Sequence, residues 1–224
     1  MRRWFALLAA CLQSAAAAGA GTKEVALDVG HYAGKPGVIS ATGVPEFEYN
    51  KVLALKVRET LESAGLRVRM IGERGDFADL HERVKAARGA DLFVSIHHDS
   101  VKEQYLPVAD KFAGFSLFVS RTNPQIAKSL ACASAIGAEM LKAGFKRSLY
   151  HADAVLGESR PFADEANGVH YFDNLAVAKS ATTPALLFEA GVIVNRAEEA
   201  RLARPETQAI MASAIAQGVA RCLN

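Results

Sequence analysis

At 224 residues, 50% of them hydrophobic, the chain is long enough for one domain with a substantial buried core. Its 26 basic and 24 acidic residues leave a net charge of only +2, and Arg2 and Arg3 account for that excess. A body near neutrality carries no basic footprint for nucleic acid and no general attraction to anionic membranes.

Residues 1–20 read as a secretory signal peptide. Arg2 and Arg3 form a basic start, Trp4 to Leu12 an apolar run, and an alanine-rich segment ends near Ala18-Gly19-Ala20. The run is too short to span a bilayer, and no later stretch approaches the roughly 20 apolar residues of a membrane span. Leu8-Ala9-Ala10-Cys11 resembles a lipobox, but the apolar region ahead of Cys11 is short even for a signal. Cleavage near Ala18 to Ala20 is therefore expected ahead of a lipid anchor at Cys11. The expected location is outside the cytoplasm, in the periplasm or cell envelope.

Beyond the signal, apolar runs alternate with helical patterns, as in a largely parallel sheet covered on both faces. Strands are expected at 24–29, 66–71, 91–97, 114–120, 174–179 and 184–189, and helices at 45–64, 77–88, 124–143 and 205–222. No repeat, low-complexity tract or Gly/Pro/Ser-rich linker interrupts the pattern. Residues 24–222 are read as one α/β domain, a mostly parallel twisted sheet with helices on both faces. The weakly patterned stretch 144–173 is expected to be a long irregular loop. Cys132 and Cys222 sit in alanine-rich helical contexts without CxxC spacing. They are expected to be buried free thiols, with a disulfide as the alternative.

Four polar residues punctuate these elements. His31 follows the run Val25–Val29 and Gly30, and Glu46 opens a helix. His97 ends Leu92–Ile96, and Glu189 ends Ala185–Phe188. In an open α/β sheet, residues beyond the carboxyl ends of strands line the ligand crevice. Two imidazoles and a carboxylate gathered there make a three-ligand zinc site with an open position, and a second carboxylate is free for acid–base work. Helical phase favours Glu46 over Glu48, because Glu46 shares a face with Leu53, Val57, Leu61 and Ala64. Strand alternation sends His97 and His98 to opposite faces, so only one faces such a site. Each residue alone also has a plain structural reading: a surface histidine for His31, a helix-dipole acid for Glu46, a capping or salt-bridged acid for Glu189.

Together, four ordered segments resemble the zinc-dependent N-acetylmuramoyl-L-alanine amidases of the Amidase_3 family. They are Asp28-Val29-Gly30-His31, Glu46-Phe47-Glu48-Tyr49-Asn50-Lys51, Ser95-Ile96-His97-His98-Asp99 and Pro184-Ala185-Leu186-Leu187-Phe188-Glu189-Ala190-Gly191-Val192-Ile193-Val194-Asn195. Leu80-His81-Glu82-Arg83 and Gly114–Ser120 are weaker landmarks. The departures are Val29 in place of proline, His98 and Asp99 in place of small or amide residues, and Val192 in place of an aromatic. Asp99 and His98 are positioned to alter substrate contacts or to offer a stray ligand. Division-associated members carry a blocking helix between the third and fourth motifs, and 144–173 is too short and irregular to be one.

The resemblance implies that His31, Glu46 and His97 hold Zn²⁺ and that Glu189 is the catalytic acid and base. The implied substrate is peptidoglycan or a muropeptide, cut between the lactyl group of N-acetylmuramic acid and L-alanine. Another zinc amide hydrolase, such as a carboxypeptidase-like enzyme, would present HxxE spacing, which accompanies neither His31 nor His97. A non-catalytic wall-binding relative would be expected to lack Glu189 or a ligand, and all four residues are present.

Overall fold

The structure, a computed structural model, describes residues 21–179 and 182–224. The expected signal peptide, with Cys11, lies outside the described residues. The elements are β1 (Glu24–Val29), α1 (Glu46–Ser63), β2 (Arg67–Ile71), α2 (Leu80–Ala86), β3 (Leu92–Asp99), β4 (Ser116–Val119), α3 (Ile126–Lys142), β5 (Phe162–Asp164), β6 (Val169–Tyr171), β7 (Ala185–Val192), α4 (Arg196–Leu202) and α5 (Pro205–Leu223). They build one seven-stranded sheet in the order β2-β1-β3-β7-β4-β6-β5. Pairing is parallel except for β4 with β7 and β5 with β6. Strand order reverses between β1 and β3, and such a switch point opens a crevice at the strands' carboxyl ends. Among the described residues, no helix is long and apolar enough to cross a membrane.

Strand alternation divides the core in two. Val25, Leu27 and Val29 of β1, Leu92, Val94 and Ile96 of β3, and Leu186 and Phe188 of β7 join the larger cluster with α1, α3 and α5. Ala26, Phe93 and Leu187 point the other way, into a smaller cluster with Ala87, Val177 and the half-buried Phe77, Val84 and Leu175. That second face is covered by α2 and a run of turns rather than by long helices. Residues in step with Phe93 and Leu187, namely Ser95, His97 and Glu189, therefore emerge on the thinly covered side.

The structure corrects several expectations. Residues 174–179 are not a strand. Ala178 and Lys179 donate to the Leu175 carbonyl, closing turns that press Leu175 and Val177 onto the sheet. The stretch 144–173 is not a structureless loop but holds β5, β6 and a 3-10 turn at Tyr150–Ala152. Three-residue strands are too short to show a period. Helix 77–88 shortens to α2 because Asp79 caps it, accepting from the His81 and Glu82 amides. The unexpected α4 is started in the same way by Asn195, which accepts from Ala197 and Glu198.

Cys132 and Cys222 are not free thiols but form a disulfide joining α3 to α5, with Cα atoms 5.0 Å apart. The two helices approach closely because Gly218 has no side chain: a Cβ there would lie 2.4 Å from the Ile136 Cα. The bond closes a loop with a sequence separation of 90. Loop-closure entropy for that length is worth roughly 4.6 kcal/mol. Cys222→Ala is therefore expected to lower the melting temperature by about 10 °C. Reductant should do the same to the wild type and nothing further to the variant, as read by circular dichroism.

Candidate metal centre and active site

His31 leaves the end of β1 through Gly30 with φ of 67°, a left-handed conformation uncommon outside glycine. Strain of this kind persists only where surroundings over-determine it. Here the constraint is Arg83, which donates to the His31 backbone carbonyl. Glu46 follows Pro45 at the start of α1 and is 3% exposed, whereas Glu48 is exposed. His97 lies near the end of β3, directly across the ladder from Glu189 of β7.

These elements converge three side chains. Nε2 of His31 lies 2.9 Å from Oε2 of Glu46, and Nδ1 of His97 lies 3.0 Å from Oε1 of the same carboxylate. One nitrogen or oxygen atom from each of His31, Glu46 and His97 lies within 4.8 Å of the others. The imidazole rings meet edge to face, 4.9 Å apart. Burial alone would raise Glu46, but hydrogen bonds and charge interactions with His31 and His97 more than offset it, holding its carboxyl well below the usual range. Two nitrogens and an anionic oxygen form a donor set that fits a divalent transition-metal ion.

A surrounding layer fixes this group. Oε1 of Glu46 also accepts from Asn50 Nδ2 and from the His98 amide, and Oε2 accepts from the Val38 amide. Asn50 donates as well to the Gly30 carbonyl, tying α1 to the His31 loop. His98 turns away from His97, with Nδ1 2.8 Å from Asn50 Oδ1. Burial pushes its ring down to about 4, and with Nδ1 engaged by Asn50 it packs outside the group formed by His31, Glu46 and His97. Two glycines leave room for the donors. A Cβ at Gly30 would fall 2.3 Å from the His97 ring, and one at Gly37 would fall 2.3 Å from Glu46 Oε2. Gly30→Ala is expected to displace the His97 imidazole and lower metal affinity by about 10–100-fold, the range seen when support of a ligand is lost. Competitive chelator titration checks this, with little change expected in circular dichroism.

Glu189 shares with His31, Glu46 and His97 a cleft of about 460 Å³. Its Oε2 is sealed from solvent and has no hydrogen-bond partner among the described residues. Burial first, then repulsion from Asp99 and Glu46, raises its carboxyl well above the usual 4.5. A carboxyl of that kind readily holds a proton, as a group that must both take and give one requires.

The stretch 144–173, which the sequence left without a role, backs the cleft behind Asp99 and contributes Glu158 to its lining. Asp99 Oδ2 lies 2.8 Å from Nε2 of His151 and accepts from the Tyr150 hydroxyl at 2.6 Å. Nδ1 of His151 lies 2.9 Å from Glu158 Oε2. Burial alone would lower His151, but Asp99 and Glu158 on either side raise it to about 9. Asp99 is thus paired with an imidazolium and is not turned toward His97 as a stray ligand. No α-helix covers the cleft from this stretch, and the His31 side chain keeps 32% exposure.

Comparisons with known proteins identify the family. The model of the Amidase_3 family, N-acetylmuramoyl-L-alanine amidase, matches residues 25–221. The N-acetylmuramoyl-L-alanine amidase AmiA of Escherichia coli K12 is 27% identical over 219 residues, covering 89% of this chain and 75% of the relative. The catalytic domain of CwlV, an N-acetylmuramoyl-L-alanine amidase from Bacillus (Paenibacillus) polymyxa, superposes with a TM-score of 0.70 at 27% identity, covering 89% of this chain and 97% of that one. Apo Ami1 from Mycobacterium abscessus shares the fold, with a TM-score of 0.74 at 21% identity over 90% of this chain and 99% of its own. Matched across nearly all of its described length, the chain belongs to the Amidase_3 family of N-acetylmuramoyl-L-alanine amidases.

Proposed function

We propose that the protein hydrolyses the amide bond between the lactyl group of N-acetylmuramic acid and L-alanine in peptidoglycan, with Zn²⁺ held by His31, Glu46 and His97 and with Glu189 as acid and base. The observation that carries this reading is the convergence of those three donors beside the half-buried Glu189, whose Oε2 is sealed from solvent and has no partner among the described residues, in a chain of this family. Zinc bound there supplies a Lewis acid that polarises the carbonyl and acidifies water.

The protein's own residues do the rest. Glu189 takes the proton from the attacking water as its oxygen bonds to the acyl carbon. It then delivers that proton to the nitrogen as the carbon–nitrogen bond breaks, giving a carboxylic acid and an amine, and the acid's proton passes on to leave a carboxylate and an ammonium group. Asn50, Val38 and the His98 amide hold Glu46 aimed between the imidazoles.

Residues 1–20 act in this reading as a signal peptide that sends residues 24–222, the catalytic domain, to the periplasm or cell envelope, where the substrate lies. The Cys132–Cys222 disulfide supports export, since such bonds persist in oxidising compartments. The reading is tested on purified sacculi. Release of new L-alanine amino termini without new reducing sugars is expected, accompanied by zinc in the purified protein and its loss in His31→Ala. New reducing ends, or undiminished zinc in that variant, would contradict it.

A further inference from the structure

The imidazoles of His31 and His97 border two hollows, not one. The first is the cleft described above, lined by Glu189, Asp99 and Glu158, with Lys102 as its cation. The second, of about 360 Å³, opens on the thinly covered face of the sheet. It is bounded by buried Leu187 and Val177, half-buried Leu175 and Tyr32, and exposed Leu80 and Lys35. Arg83 also borders it but has no donor to spare, because its guanidinium serves Asp28 and the Val29, His31 and Phe77 carbonyls. Glu189 lines the cleft and not this apolar hollow.

We propose that the apolar hollow is the acyl-side subsite, receiving the N-acetylmuramoyl half of the substrate, while the cleft receives the peptide half. The assignment rests on the amidase reading above and follows from the direction of proton transfer. The scissile nitrogen must face Glu189 to collect its proton, so the peptide continues into the cleft. The acyl carbon's other substituent then points past the imidazoles into the second hollow.

Chemistry matches on both sides. Within intact substrate, the lactyl and acetamido methyls and the sugar ring carry no charge and suit walls of leucine, valine and tyrosine. The peptide half carries amides and charged groups, which suit a cleft lined by Ser100, Lys102 and Glu158. An ionised peptide placed in the apolar hollow would lose water and find only Lys35 in return.

The test uses the full protein with leucine and valine methyls labelled for NMR, titrated separately with N-acetylmuramic acid and with the dipeptide L-Ala-D-Glu. N-Acetylmuramic acid is expected to shift the methyls of Leu80, Leu175 and Val177, and the dipeptide those of Val38 and Val101 in the cleft. Leu80→Asp, which sets a carboxylate among apolar walls, is expected to weaken N-acetylmuramic acid about tenfold and to leave the dipeptide unchanged. Ala176→Trp, which fills the hollow, should act in the same way and guards against an effect peculiar to one variant. The assignment is overturned if N-acetylmuramic acid moves Val38 and Val101 instead, leaves Leu175 and Val177 unmoved, or binds both variants as it binds wild type. A protein that liberates L-alanine amino termini from sacculi yet gives one of those results refutes only the subsite. A protein that liberates none refutes the amidase reading.

Discussion

Glu189→Gln is expected to lower the rate of amide hydrolysis on sacculi by roughly 10²–10⁴-fold, the span over which a positioned acid–base group acts. The amide side chain is the same size and is compatible with burial, but it cannot take a proton from water or hand one to a departing amine. Metal content should not change, because the three donors of the metal group lie on other residues. Stability should move the opposite way from activity. In the folded chain the Glu189 carboxyl is raised well above the usual 4.5, chiefly by burial, so it keeps its proton where the unfolded chain has lost it. Its contribution to stability is therefore fully present below that usual value and declines as pH rises toward the folded one. Glutamine carries no such dependence. In the presence of chelator, the variant should melt above wild type near neutral pH, and the difference should shrink as pH falls toward 4.5. Sacculus clearing at the wild-type rate would remove Glu189 from the mechanism. A glutamine variant that loses both activity and stability would make it a structural residue.

The parts of the fold that were legible in the sequence are those with long, regular patterns. β1, β3 and β7 are buried on both faces and read as apolar runs, and α1 carries an unbroken helical stripe. Glu46 could be told from Glu48 because helical phase is a geometric property of the local sequence, and the two differ in burial as that phase requires. The opposed directions of His97 and His98 were legible for the same reason.

Long-range features were not. Nothing local in Asp99 announces His151, 52 residues away, and nothing in Cys132 announces Cys222. The run 174–179 is apolar like a buried strand, but β6 occupies the place beside β4, and turns bind the run's own amides instead. The segment Leu80-His81-Glu82-Arg83 stood out only as a weak landmark, and the burial of Arg83 against Asp28 was not legible, since an arginine in such a setting ordinarily reads as an exposed helix charge. One signal did point to it. Asp28 is a carboxylate inside an apolar strand, and a buried charge requires a partner from somewhere.

That partner carries the second large prediction: Arg83→Met is expected to cost about 3–5 kcal/mol, the usual loss when one member of a buried ion pair is removed. Arg83 is 2% exposed and Asp28 1%, so the orphaned carboxylate cannot turn to water. The Arg83 NH1 group donates to Asp28 Oδ1 and to the Val29 carbonyl, both at 2.6 Å. Nε donates to the Phe77 carbonyl at 3.0 Å, and NH2 serves His31 and Phe77. Among the described residues only the Ser95 hydroxyl would remain as a side-chain partner, donating to Asp28 Oδ2 at 2.6 Å. A lysine offers a point charge instead of a planar fork, so Arg83→Lys should recover little. Adding Asp28→Asn to Arg83→Met should recover more, because it removes the unpaired charge. Urea denaturation monitored by circular dichroism measures all three. The effect should also reach the metal: without the tether on its carbonyl, His31 is freed from its left-handed conformation, and chelator competition well below the melting transition should show affinity falling by about 10–100-fold. Wild-type stability in Arg83→Met would mean the pair is dispensable. Lost stability with unchanged metal affinity would mean that Arg83 supports the fold but does not position His31.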